Sequence, residues 1–159
     1  MSAPVMHEDW LDFVRALLAA EVRFLVVGAH ALAVHGYPRG TVDFDVWAEP
    51  TPENARRVWQ ALDDFGAPAD ALGITLDDLT NPDVVVQFGL PPKRIDLMTG
   101  VSGVDAFSEA WAARVVGPLA SVPDVPFIGR EHLVANKRAS GRRKDLGDLD
   151  GLASPEIGV

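Results

Sequence analysis

Apolar and polar positions along this chain follow two different periods, and the switches between them outline the elements. Over residues 7–20, Trp10, Leu11, Phe13, Val14, Leu17 and Leu18 recur at helical spacing as one stripe. Glu8 and Asp9 lie in the first turn of that helix, where its dipole favours negative charge. Residues 22–27 are apolar on both faces, as a central buried strand requires. A short helix over 29–35 is closed by Gly36, and Tyr37-Pro38-Arg39-Gly40 reads as a turn. The period then drops to two over 42–48, which predicts a second strand. Thr51 and Pro52 open the next helix as N-cap and first helical residue. Ala55, Val58, Trp59, Leu62 and Phe65 line its buried face, and Gly66 stops it.

Beyond Gly66 the signals are shorter. Residues 69–72 and 76–79 read as short helices, 84–88 and 94–98 as strands joined by the turn Gly89-Leu90-Pro91-Pro92. A helix is expected over 104–112, edge strands over 114–116 and 125–128, and two helices over 130–138 and 142–152 separated by Ser140-Gly141. Strands do not alternate regularly with helices, so a doubly wound sheet is not expected. The expectation is one α/β (α+β) domain over residues 1–159, with a small mixed sheet flanked by helices and a helical C-terminal part.

Composition narrows the setting. Hydrophobic residues make up 48% of the chain, which argues against disorder. Without cysteine there is neither a disulfide framework nor a thiolate zinc site. Met1-Ser2-Ala3-Pro4 lacks a basic stretch followed by an apolar core, and no apolar run is of membrane-spanning length. No signal peptide and no membrane partner are expected, and a cytoplasmic location is. A net charge of −9 argues against broad nucleic-acid binding while leaving room for a local basic groove.

The candidate chemistry lies in carboxylates at special places. Asp43 and Asp45 are one residue apart on a strand, so they share a face while Phe44 and Val46 point into the core. Two carboxylates on one face repel unless a positive charge sits between them, and Mg²⁺ takes oxygen ligands from carboxylates and phosphates together. Asp96 stands between apolar neighbours on a later strand, where aspartate is disfavoured. It is either a salt-bridge partner of Arg94 on an exposed face, or a general base and further metal ligand. Three carboxylates on adjacent strands would suit two metal ions clamping an in-line displacement. Gly28 and Ala29 form a small-residue turn before a helix, where a phosphate would meet backbone N–H groups. Thr41 shares the alternation of Asp43 and Asp45, and Arg39 is placed either to meet a phosphate or to pair with an aspartate. Lys137, Arg138, Arg142, Arg143 and Lys144 form the basic cluster of an acidic chain, which favours a polyanion over a merely solvated face. Lys137 follows Leu133 and Val134 and is expected to be the least exposed, with Arg142 facing solvent. Asp145 and Asp148 are candidate anchors for Lys137 or Arg39, or caps of the last helix. His30 is expected on a helix surface. Trp10, Trp59 and Trp111 are expected in packing, whereas Trp47 suits either packing or base stacking.

Taken together, the apolar strand, Gly28-Ala29, the spacer, Asp43-Phe44-Asp45 and the later Asp96 resemble the nucleotidyltransferase-fold (polymerase-β-like) superfamily. More narrowly, Gly28-Ala29-His30-Ala31-Leu32, then Gly36 to Asp45, and Lys137 with Arg143-Lys144-Asp145-Leu146-Gly147-Asp148 resemble its AbiEii-like branch of toxin and uncharacterised bacterial nucleotidyltransferases. The resemblance spans residues of about 10–150. It implies Mg²⁺-dependent transfer of NMP from an NTP to a hydroxyl of RNA, a protein or a small molecule, with Asp43, Asp45 and Asp96 as catalytic and metal-binding residues. Gly28, Ala29, Arg39, Thr41 and Lys137 would hold the nucleotide, Asp145 and Asp148 would support them, and a cognate antitoxin or toxin is an implied partner. Ala29 stands where the family carries Ser, whose hydroxyl helps to bind triphosphate. That departure keeps a second expectation open, a weak or inactive member serving as a binding or regulatory protein.

Overall fold

A computed structural model describes residues 6–38 and 40–153 of the chain. Arg39, a sequence candidate, lies outside the described residues. The first helix, α1 (Glu8–Ala19), buries Trp10, Leu11, Phe13, Val14 and Leu17, the stripe that its periodicity predicts. Strand β1 (Phe24–Val27) is buried throughout and leads through Gly28 into α2 (Ala29–Val34). Strand β2 (Asp43–Ala48) carries the paired carboxylates at its start. Helix α3 (Pro52–Phe65) begins where the Thr51 hydroxyl accepts the Asn54 N–H and ends at Gly66 in the left-handed region, so both of its sequence signals are used. The short α4 (Leu76–Thr80) is closed by a reciprocal Thr75–Asp78 capping box.

The hairpin β3 (Val85–Phe88) and β4 (Arg94–Met98) forms as expected. Helix α5 (Phe107–Ala112) starts later than the pattern predicts, because Val104 bridges Val101 instead of joining the helix. Residues 69–72 are turns rather than a helix. Strands β5 (Val115–Leu119) and β6 (Val122–Phe127) are longer than expected, and only β5 is an edge. β6 is interior, since it pairs with β1 on one side and β5 on the other. Local pattern carries no information on which distant strand will be a neighbour, so it does not reveal this position. Helices α6 (Arg130–Ser140) and α7 (Arg143–Ala153) complete the chain.

The fold is mixed α/β: among the described residues, six strands in the order β3-β4-β2-β1-β6-β5 with seven helices. β2 runs antiparallel to β1 and parallel to β4, so residues 43–47 face residues 94–98 position for position. Period-two alternation then divides the sheet between two cores. On one face Phe24, Val26, Phe44, Val46, Ile95 and Leu97 pack against α1 and α3. On the other, Leu25, Val27 and Trp47 pack against Ala31, Leu32, Phe107, Leu133 and Leu152. Asp43 and Asp45 share this second face with Trp47, at the end where its apolar cover stops. Among the described residues no helix is long and apolar enough to cross a membrane.

His30 is corrected from a surface residue to a buried one, 3% exposed, with its ring edge-on to both Trp10 and Phe44 at 5.1 Å. The reason is the shortness of α2, whose first four residues are all buried. Trp10 packs as expected, and Trp47 resolves to packing, its ring edge-on to Phe107.

Candidate active site

The site is built by register. The pairing of β2 with β4 sets Asp45 beside Asp96 and Asp43 beside Arg94, all four on one face. Asp45 also stands opposite Val27 at the end of β1, so the chain leaving β1 must pass its carboxyl. That is the place of Gly28. Its φ is +70°, and a Cβ there would collide with Oδ2 of Asp45. Glycine is required on both counts.

Asp45 is the most perturbed carboxyl of the group. Burial, then the charges of Asp96 and Asp43 and a hydrogen bond with Asp96, push its pKa from 3.8 to about 7, against an opposing pull from Lys137. Asp96 also accepts a hydrogen bond from Gln87 Nε2 at 2.9 Å. Its expected partner, Arg94, goes elsewhere: Nε and Nη2 both donate to Asp43 Oδ1, at 2.8 and 2.7 Å. Cross-strand register explains the choice, since Arg94 faces Asp43 directly. Thr41 lies ahead of β2, where its hydroxyl accepts the Asp43 N–H at 3.1 Å and donates to the Asp43 carbonyl at 3.2 Å.

Helices α6 and α7 close over these carboxylates from the second face. Lys137 is 4% exposed, and its Nζ pairs with Asp145 Oδ1 at 3.3 Å and Asp148 Oδ2 at 3.0 Å. The anchoring role expected for both aspartates is therefore directed at Lys137. Asp145 also accepts from Arg142, through Nε at 2.7 Å and the backbone N–H at 3.3 Å. Burial pushes the Asp145 carboxyl up, but the Arg142 hydrogen bond and the charges of Lys137 and Arg142 more than offset it and hold it below the ordinary value. Arg142 remains exposed while making this pair, so it faces solvent as expected without being unengaged. Arg138 and Arg143 are exposed as well.

Between the acidic strands and the two helices lies a cleft of about 210 Å³. Gly28, Ala29, Thr41, Asp43, Asp45 and Lys137 line it, as do Arg142 and Lys144. Asp96 does not reach its wall and acts on it through Asp45. Gly100, Ser102, Asn136 and Ser140 also line it, and sequence reasoning does not mark them for this role. Asn136 donates from Nδ2 to the Ser102 carbonyl at 2.9 Å, tying the loop after β4 to α6. The one sequence signal for Asn136 is its position next to Lys137. The donor set is made of carboxylate oxygens, which suits a hard divalent cation, and like charges crowded enough to hold a proton near neutrality are what such a cation relieves. Among the described residues no group of three His, Asp or Glu side chains is arranged to hold a metal ion, and Arg94 occupies Asp43.

Set against known proteins, the chain matches no family model and no curated protein.

Proposed function

We propose that this chain is a Mg²⁺-dependent nucleotidyltransferase that moves NMP from an NTP to an acceptor hydroxyl. The observation that carries the reading is the pairing of Asp45 with Asp96 across β2 and β4, with Asp43 on the same face and the Asp45 carboxyl poised near neutral pH. The likeness of the Gly28-Ala29, Asp43-x-Asp45 and Lys137 segments to the polymerase-β-like superfamily supports it. Asp43 and Asp45, with Asp96 beside them, would hold one or two Mg²⁺. Bound Mg²⁺ supplies neutralising charge to the phosphates. Asp45, with Asp96 positioning it from behind, would take the proton of the attacking hydroxyl. The new bond joins the acceptor oxygen to the α-phosphorus, the bond from that phosphorus to the bridging oxygen breaks, and pyrophosphate leaves. Gly28 and Ala29 leave room for phosphate at the cleft wall, and Lys137 faces it. The acceptor classes are RNA, a protein or a small molecule, and the same likeness brings with it a toxin–antitoxin setting and a cytoplasmic location.

Charge balance adds a requirement. Lys137 and Arg142 are matched by Asp145 and Asp148, and Arg94 by Asp43. On the cleft wall that leaves the exposed Lys144 to a bare triphosphate, and one exposed lysine contributes little, so nucleotide should bind only as its Mg²⁺ complex. Calorimetric titration with each NTP tests this without knowledge of the acceptor. Binding is expected with Mg²⁺, none with a chelator, and none in Asp45→Ala. Equal binding by wild type and Asp45→Ala would remove the site. Ala29 in place of Ser and the Arg94 grip on Asp43 favour a second reading, a nucleotide-binding protein without turnover. Transfer of radiolabel from NTP to total RNA or protein, lost in Asp43→Ala, separates the two.

A further inference from the structure

Arg94 is held differently from the other cations around the cleft. It opens β4, directly after the exposed turn 89–93. Its Nε and Nη2 converge on one oxygen of Asp43, Oδ1, at 2.8 and 2.7 Å. An arginine that grips a carboxylate most firmly gives one donor to each oxygen. Here Oδ2 accepts nothing and Nη1 donates nothing among the described residues. The two side chains are also 30% and 23% exposed, so water competes for the pair more than it does for a buried one. Lys137 is the opposite case, sealed from water and shared by Asp145 and Asp148.

Asp43 lines the cleft and Arg94 does not, so Arg94 stands one contact behind the wall. A divalent cation on Asp43 would set its charge against the guanidinium across a single carboxylate, and the two repel at that range. Phosphate oxygens in the cleft act the other way, because a guanidinium matches them with paired donors. Lys137 and Arg142 are not released by the same event, since Asp145 and Asp148 keep them. Arg94 is the cation whose partner the metal takes.

We propose that Arg94 is a phosphate-binding residue with two positions: it clamps Asp43 in the free protein and turns onto the triphosphate when Asp43 passes to the cation. The inference rests on the nucleotide reading above and adds a residue to it. A long side chain at the start of a strand reaches a new partner by changing rotamers, with the sheet left in place. The exchange keeps every charge paired throughout. It also couples the two ligands, because metal on Asp43 frees the cation that a triphosphate otherwise lacks in this cleft. The Arg94 grip then delays metal entry without forbidding it.

The test uses the full chain at pH 8, above the Asp45 pKa of about 7, and two probes: Mn²⁺ alone, and inorganic triphosphate at saturating Mg²⁺. Arg94→Met should move them in opposite directions. Mn²⁺ should bind about three- to tenfold tighter, since a competitor for Asp43 is gone. Triphosphate should bind about ten- to a hundredfold more weakly, the range of one charged hydrogen bond. Wild type supplies a check that does not depend on how the variant folds. The Arg94 Nε–H resonance, identified by its absence from Arg94→Lys, should shift with Mg²⁺ and shift again when triphosphate is added. Mn²⁺ binding equal or weaker in Arg94→Met, or an Arg94 resonance indifferent to both ligands, would mean that Arg94 stays on Asp43 in every state, and would overturn the proposal while leaving the metal site standing. Unchanged triphosphate affinity in Arg94→Met would overturn it as well. Binding of neither probe by either chain would overturn the nucleotide reading itself.

Discussion

Two charged clusters face each other across the cleft, and they are built on opposite principles. On the helices, Lys137 and Arg142 meet Asp145 and Asp148, so each buried carboxylate has a cation beside it. On the strands, Asp43, Asp45 and Asp96 share one face with Arg94, and Arg94 is spent on Asp43. The carboxyl pKa values record the difference: Asp145 is held below its ordinary value, whereas Asp45 is pushed up to about 7. A balanced buried cluster is costly to break, because removing one partner leaves buried charge behind. An unbalanced one costs stability and persists where something else needs it, which is why perturbed carboxyls in clefts mark candidate sites. In the proposed reading the helices are the scaffold and the strands carry the chemistry.

The sharpest way to break this contrast is to remove the centre of the balanced cluster. Lys137→Met takes from the buried Asp145 and Asp148 the cation they share, and should cost about 3–5 kcal/mol in urea unfolding. A loss under about 1 kcal/mol, typical of exposed pairs, would put Lys137 among ordinary surface lysines. Asp45→Asn should act in the other direction. The folded-state pKa of Asp45 lies above its unfolded value, so the folded chain binds more protons between about pH 4 and 7 and loses stability as pH rises through that window. A tenfold change in proton affinity is worth about 1.4 kcal/mol, so the swing is on the order of a few kcal/mol. The variant removes it: it should be more stable than wild type at pH 8 and gain little at pH 5. Urea midpoints at both pH values check this, and a variant less stable than wild type at pH 8 would mean that Asp45 is already compensated.

The strand cluster is legible in sequence to the extent that period two makes it so. Asp43 and Asp45 alternate with Phe44 and Val46, and that alone fixes which side chains go to the core and which to the cleft. Asp96 is legible as an aspartate out of place on a strand. Its partner is not, because pairing depends on register: parallel alignment of β2 with β4 sets Asp45 beside Asp96 and gives Arg94 to Asp43. The place of β6 inside the sheet is hidden for the same reason. His30 escapes the sequence pattern because helical periodicity reports one buried face, while α2 is too short and too tightly held between layers to have an exposed side at that position. On the helices, Lys137 is legible as buried from the apolar residues before it. The split between engaged Arg142 and exposed Arg138 and Arg143 requires the α6–α7 geometry.

Gly28 joins the comparison at a smaller scale, because it sets how closely the backbone approaches the unbalanced carboxyl. Gly28→Ala meets a positive φ and the Asp45 carboxylate together. Strained backbone of this kind costs about 1–3 kcal/mol. Part of that should be returned in the Gly28→Ala/Asp45→Ala double variant, since the colliding carboxylate is gone. Strict additivity of the two changes in urea unfolding would show that the glycine answers to backbone conformation alone.

The smallest expected effect belongs to the exposed arm of the balanced cluster. Arg142→Ala removes two guanidinium hydrogen bonds from Asp145 but keeps the one from the Arg142 backbone N–H and the Lys137 pair. Its side chain is 61% exposed, so water screens much of what it contributes, and the loss should be no more than about 1 kcal/mol. The sign with pH is opposite to that of Asp45. The folded-state pKa of Asp145 is lowered, so its contribution is present above the ordinary aspartate range and disappears as pH falls through the folded value. The stability gap between wild type and Arg142→Ala should therefore be full at neutral pH and close in acid. A gap that persists unchanged in acid would make the contact one of packing rather than charge. A gap as large as that of Lys137→Met would mean that the cluster balances on its exposed cation, and the distinction between balanced helices and unbalanced strands would have to be redrawn around Arg142.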